Sequence, residues 1–192
     1  MPLSRLEAVN MMLSAVGESV ILVEVEGAGD FANCSAILDA ATKAVLAKDY
    51  DFNTEVRTLV PDANGNLLVG PEVLKIDPVD PYLKVVQRGT KLYNKADRTD
   101  VFTDSVDVNV TLYFPFEECP YHVQQRIVAD ATAKYQTSYV GSVAADNFLQ
   151  RDRGEAIADS QASESDVDDY NMLDNPDLAF LRRRTYPNGS IL

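Results

Sequence analysis

VDVNVTLYFPFEECPYHVQQRIVADATAKY, residues 106–135, changes its period midway and so decides the fold class. In the first half, Val106, Val108, Val110, Leu112 and Phe114 alternate with Asp107, Asn109, Thr111 and Tyr113. A period of two is that of a strand with one buried and one wet face. Beyond Pro120 the period lengthens, and Val123, Ile127, Ala131 and Tyr135 recur every four residues as the stripe of an amphipathic helix. Pro120 stands where a first helical residue should, and Glu117 and Glu118 before it suit the positive end of the helix dipole. The helix is expected to run about twenty residues, roughly 30 Å, to a stop at Gly141. With the elements read below, the order helix, helix, strands, helix, helix suggests an α+β protein in which a helical bundle carries a β-insertion.

Upstream, a β-region begins at Asp51. Val56, Thr58 and Val60 alternate with Glu55, Arg57 and Leu59, and an Asn64-Gly65 turn signal precedes Leu67, Leu68 and Val69, which predicts a hairpin. A second hairpin is expected from Tyr82 to Gln87, a turn at Arg88-Gly89, and Lys91 to Tyr93. Earlier still the sequence reads as helical. Ser4-Arg5-Leu6-Glu7 is a capping box, Leu6, Val9, Leu13 and Val16 form a stripe, and Gly17 supplies a left-handed stop. After an apolar run at Val20 to Val25 and a Gly27-Ala28-Gly29 loop, a second helix is predicted from about Asp30 to Asp49, with Cys34, Ile37, Ala41 and Val45 inward.

Downstream of Gly141, a fourth helix is expected from about Val143 into the 160s, with Phe148, Leu149, Ala156 and Ile157 as apolar contacts on an increasingly polar element. Residues 159–177 hold seven acids and no base. The tail then carries Tyr170, Asn171, Met172 and Leu173, followed by Leu178, Phe180 and Leu181 and the triplet Arg182, Arg183 and Arg184. Apolar residues beside a charge cluster mark either a disordered end or an arm that docks on a partner. The expected architecture is a four-helix bundle-like body (residues 1–50 and 117–169), an inserted antiparallel β subdomain (51–116) and an extended C-terminal docking arm (170–192).

The 192 residues include 30 Asp and Glu against 17 Lys and Arg, a formal net charge of −13. The acids are dispersed: residues 1–50, 51–118 and 119–192 carry −4, −5 and −4. That balance argues against a protein that grips nucleic acid by neutralising phosphates. Dispersed acidity serves solubility, or lets a polyanion pass without sticking. Cys34 and Cys119 lie far apart and are expected to be reduced, and one histidine, His122, leaves too few soft ligands for a zinc site. No stretch is long and apolar enough to span a membrane, and no signal peptide is legible, so synthesis in the cytoplasm is expected.

No nucleophile elbow, phosphate loop, dinucleotide fingerprint or metal-binding pair is present, so no catalytic, cofactor or metal site is expected. Gly27-Ala28-Gly29 lacks a third glycine and a βαβ setting. His122 reads as a packed or surface histidine rather than a general base. Glu117 and Glu118 are adjacent, whereas a glycosidase pair must face across a sugar, so they read as dipole-stabilising acids.

Several stretches together resemble the tail tubular protein A family, the head-to-tail adaptors of autographivirus-type short-tailed phages. They are Ser4 to Asn10 with Leu13 to Glu18, Tyr50 to Thr54, Leu59 to Asp62 with Gly65 to Val69, Leu92 to Asn94 ahead of Thr99 to Phe102, and Tyr170 to Leu173. The acidic stretch 159–169 and the triplet Arg182 to Arg184 match no family motif. The resemblance implies a non-enzymatic virion tail protein that forms a dodecameric ring. That ring joins the portal to the hexameric nozzle, tubular protein B, around a channel through which DNA passes without specific binding. It implies no cofactor and no membrane insertion. Tyr170 to Leu173, Leu178, Phe180, Leu181 and Arg182 to Arg184 are expected to dock on the portal or an adjacent subunit. A virion-associated polysaccharide hydrolase acting through carboxylates is the alternative reading.

Overall fold

The computed structural model describes residues 2–23, 29–141 and 143–168. Its elements are α1 (Arg5–Ala15), α2 (Gly29–Leu46), β1 (Thr54–Leu59), β2 (Val73–Pro78), β3 (Val85–Arg88), β4 (Lys91–Asn94), β5 (Val106–Leu112), α3 (Tyr121–Tyr135) and α4 (Val143–Asp168). The α+β class read from residues 106–135 is the one observed.

α1 starts as its capping box dictates. The Ser4 backbone N–H donates to Glu7 Oε2 at 2.8 Å, and the Glu7 N–H donates to Ser4 Oγ at 3.3 Å. The helix stops where Gly17 takes a φ of +83°, a region costly for a residue with a Cβ. α2 ends at Leu46, earlier than expected, because Asp49 turns left-handed at φ +61°. α3 continues from Tyr135 into a single π-helical turn, Gln136–Val140, before Gly141 closes it at φ +66°. Pro120 is the residue that caps α3 rather than its first helical residue, in an extended conformation its fixed φ allows.

α1, α2 and α3 share one apolar core. Val9, Met12 and Leu13 from α1 meet Cys34, Leu38, Val45 and Leu46 from α2 and Val123, Ile127 and Ala131 from α3, all essentially excluded from water. α4 lies antiparallel on α3, because its late residue Glu164 reaches His122 early in α3 while its early residue Arg153 reaches Asp130.

The strands form a three-stranded antiparallel sheet in the order β1-β5-β2 and a separate β3-β4 hairpin. β5 is central, and its alternation is realised in Val108, Val110 and Leu112, which face a second core with Leu67, Val69, Val85 and Leu92. The first expected hairpin is not formed. β1 pairs with β5, Thr54 opposite Thr111 and Leu59 opposite Val106, and not with residues 67–69. The Asn64-Gly65 turn exists, but Asp62 organises it locally by accepting from the N–H groups of Asn64 and Asn66, each at 2.8 Å. Leu67 and Val69 instead join the β3-β4 hairpin through Leu92 N–H to Leu67 O (3.0 Å) and Val69 N–H to Thr90 O (2.8 Å). The alternation of 56–60 is satisfied better by the long central strand than by a three-residue neighbour. β2 went unread in the sequence because Pro71, Pro78 and Pro81 crowd it; as an edge strand with Pro78 at its end it tolerates a missing N–H.

One buried side chain couples the helical layer to the sheet. Asn53, 1 % exposed, donates through Nδ2 to Leu46 O at the end of α2 (3.0 Å) and to Leu112 O at the end of β5 (2.9 Å), while its Oδ1 accepts from Tyr50 N–H (3.0 Å). Beside it Tyr50, Phe52 and Phe114 pack in sequence as tilted rings at centroid separations of 6.0 and 5.9 Å, and Phe114 packs against both cores. Replacing Asn53 with Ala orphans two buried carbonyls and one N–H. A loss of about 3 kcal/mol is expected, which a thermal melt should read as a fall of roughly 6 to 12 °C for a chain of this size.

A second link sits at the surface of the same joint. Asp49 accepts from Thr111 Oγ1 at 2.6 Å and pairs with Lys75 of β2. Burial pushes the Asp49 carboxyl up, but Lys75 and Thr111 outweigh it and hold it below its ordinary value of 3.8. A depressed carboxylate stabilises the fold above its unfolded pKa and loses that contribution as pH falls through its folded pKa. The stability gap between the wild type and Asp49→Asn, measured by chemical denaturation, should therefore be present near pH 7 and shrink as pH is lowered below about 3.8.

Candidate assembly surfaces

The residues singled out for chemistry are engaged in structure. Glu117 lies in the 3-10 turn Phe116–Glu118 and pairs at 3.1 Å with Arg5, whose other arm holds Asp39 of α2 at 2.8 Å. The hydrogen bonds that Arg5 donates to Asp39 and then to Glu117 outweigh burial and keep the guanidinium firmly protonated, so this triad clamps the start of α1 to α2 and to the turn before α3. Glu117 therefore does not oppose a second free carboxylate as a glycosidase pair must. His122 is partly packed, with Nε2 at 3.2 Å from Glu164 Oε1; Glu164 also accepts from Asp51 N–H at 2.9 Å. Among the described residues no group of three or more His, Cys, Asp or Glu could hold a metal ion.

Cys34 and Cys119 are free, buried thiols. Burial pushes Cys34 up to about 11, against a hydrogen bond from Tyr135, and burial together with Glu117 and Glu118 pushes Cys119 up to about 12. Neither is a nucleophile at neutral pH.

The described surface carries several exposed apolar side chains. Among the described side chains of α4, Leu149 and Ser160 are deeply buried, and the polar pairs His122–Glu164 and Asp130–Arg153 tie the helix to α3. Phe148, expected to pack inward, is instead 72 % exposed, because Leu149 takes the inward position and a helix turns its next residue about 100° away. The apolar run that opens at Val20 is also outward: Leu22 is 85 % and Val23 70 % exposed, and only Ile21 packs, pinned through both backbone groups by the Asn10 amide at 2.7 and 2.9 Å. On the sheet, β1 is an edge strand that presents Val56, and Val60 follows it into solvent. No helix among the described residues is long and apolar enough to cross a membrane.

Comparison with known proteins fits such a surface. The Tube family, described as tail tubular protein, matches residues 6–170, from the first turn of α1 to past the end of α4. The chain belongs to the tail tubular protein family. It is a structural component of a phage tail. Tail tubular protein A of Klebsiella phage KP34 is similar to it, with 24 % identity over 138 residues that cover 71 % of this chain and 74 % of that protein.

The tail residues expected to dock, Tyr170 to Leu173, Leu178, Phe180, Leu181 and Arg182 to Arg184, lie outside the described residues, as does the loop at Gly27-Ala28. Phe148 on α4 was read in the sequence as a packing contact; hydrophobicity alone does not tell an inward from an outward face. The thiols give a direct check on the helical core. A disulfide-exchange reagent at about pH 8 should label neither cysteine in the folded protein and both after denaturation.

Proposed function

We propose that this chain is the subunit of a head-to-tail adaptor, a dodecameric ring that joins the portal to the tail nozzle around the DNA ejection channel. The observation that carries the reading is the family match, which runs through every helix and strand of the described fold and is not confined to one motif. The similarity to a protein named tail tubular protein A supports the same position in the tail. In this reading residues 1–50 and 117–169 form the ring body, the β-insertion 51–116 meets the nozzle or a neighbouring subunit, and residues 170–192 dock on the portal or an adjacent subunit. The role is mechanical, needs no reaction and no cofactor, and is completed in the host cytoplasm during virion assembly.

Two physical features favour it. Isolated apolar side chains such as Leu22, Val23, Val56, Val60 and Phe148 cost little singly in a monomer, yet they supply contact area for neighbours in a closed ring. At −13 per subunit, a dodecamer carries about −156, a field that repels the DNA backbone and favours passage over adhesion. Ring closure against that repulsion needs salt screening and local complementarity.

Electron microscopy of the virion is the decisive measurement. Density for the chain as a dodecameric ring between portal and nozzle is expected, and any other stoichiometry or position overturns the proposal. Truncation after Asp169 should leave the melting temperature of the folded body unchanged while abolishing co-sedimentation with the portal. Unaltered attachment removes the docking role of residues 170–192.

A further inference from the structure

The β3-β4 hairpin reverses the charge of the chain. Residues 84–98 hold Lys84, Arg88, Lys91, Lys95 and Arg98 against one acid, Asp97, a local +4 in a chain of net −13. The pleat sorts these residues by face. Val85, Leu92 and Asn94 are buried, so the alternate residues Lys84, Val86, Arg88, Lys91, Tyr93 and Lys95 share the outward face.

Across that face like charges stand opposite each other twice. Arg88 pairs with Lys91, and the Lys95 N–H donates to Lys84 O at 2.8 Å, which carries the same register one pair further. Like charges directly opposite on antiparallel strands destabilise the pairing. Among the described residues none of these cations makes an ion pair. Lys91 donates to Asn66 Oδ1 at 3.0 Å. The nearby acids are taken: Asp97 accepts from the Asn94 amide at 2.8 Å, and Asp62, on the turn beside Lys91, accepts from the Asn66 and Asn64 N–H groups. Counting Asp62 with the hairpin still leaves an excess of three cations. Lys84, Arg88 and Lys95 are exposed, and the Arg88 Cζ lies 3.5 Å from the Tyr93 ring centroid, so its guanidinium is positioned before any partner arrives.

We propose that this face is a sequence-independent contact site for the phosphodiester backbone of duplex DNA. Charge density favours phosphates over the carboxylates of a protein. A duplex presents one charge per about 1.7 Å of its axis, so each of the three exposed cations meets its own anion, whereas scattered carboxylates leave the like-charge pairs unrelieved. Spacing agrees. The Lys84–Lys95 pair lies four residues from the Arg88–Lys91 pair, about 13 Å along the ribbon, close to the major-groove width of about 12 Å, which admits a two-stranded ribbon. Lys84 and Lys95 then reach phosphates on one wall of the groove and Arg88 on the other. The acids elsewhere in the chain keep the contact light without preventing it, because at about 0.1 M salt charges more than about 10 Å apart are largely screened. That this duplex is the one in the tail channel rests on the adaptor reading above; the phosphate chemistry of the hairpin does not.

The test needs only the full chain, without a ring, so failure of this contact and failure of the adaptor reading are read separately. Binding to a fluorescein-labelled duplex of about 20 base pairs is followed by anisotropy between about 50 and 200 mM NaCl. Three phosphate contacts predict a log–log slope near −2.7, an affinity loss of about fortyfold across that range. Arg88→Gln should reduce the slope to about −1.8, and Lys84→Gln with Lys95→Gln to about −0.9. The double variant should melt at or above the wild-type temperature, because a like-charge pair is removed. Arg151→Gln, which removes an exposed α4 cation paired with Glu155, should leave the slope unchanged. Absence of binding, or a slope that the hairpin variants do not alter, overturns the proposal. Tighter binding of poly-glutamate than of the duplex also overturns it and points to an acidic protein partner. A preference among duplex sequences above about tenfold overturns the sequence-independent contact.

Discussion

The structure turns on the buried amide of Asn53. Two layers with different periods, helices packed every three to four residues and strands alternating every two, have no natural way to share a boundary. Asn53 supplies one by donating to the last carbonyl of α2 and the last carbonyl of β5 at once. Each of those carbonyls lies at an element's end, where the regular hydrogen-bond pattern runs out. Satisfying both with one side chain fixes where the sheet leaves the helices. The aromatic sequence Tyr50, Phe52 and Phe114 then fills the space around that link, so that the two cores meet through packed rings and not through a hinge.

The polar links outside the joint bear a different load. Arg5, Asp39 and Glu117 tie the start of α1 to α2 and to the approach to α3, and Gln124, fully buried, exchanges hydrogen bonds with both backbone groups of Leu3 and with Phe116 O. α4 is held on α3 in part by links of the same kind, His122–Glu164 and Asp130–Arg153.

Much of the fold was readable because it depends on local chemistry. The Ser4–Glu7 capping box, the Gly17 and Gly141 stops, the α3 stripe and the alternation of β5 each follow from a few adjacent residues, and each is observed. Strand pairing was not readable in the same way. The Asn64-Gly65 turn is real, but a turn fixes only its own few residues, and β1 found its partner some fifty residues later. β2 was hidden by prolines that an edge strand tolerates and a central one does not. Phe148 was misread as inward because apolarity is necessary for a core but does not assign a face.

By itself the sequence determined the fold class, the helix boundaries set by caps, the acidity that disfavours a grip on nucleic acid, and a distributed family likeness, because all of these are sums or short-range patterns along the chain. Only the tertiary structure decided which strand lies beside which, that Asn53 joins the layers, and that Glu117 belongs to an arginine clamp. Those facts depend on residues distant in sequence becoming neighbours, and on which charges have already been neutralised when they do. A sequence states what charges a chain holds; the fold decides which of them are left over.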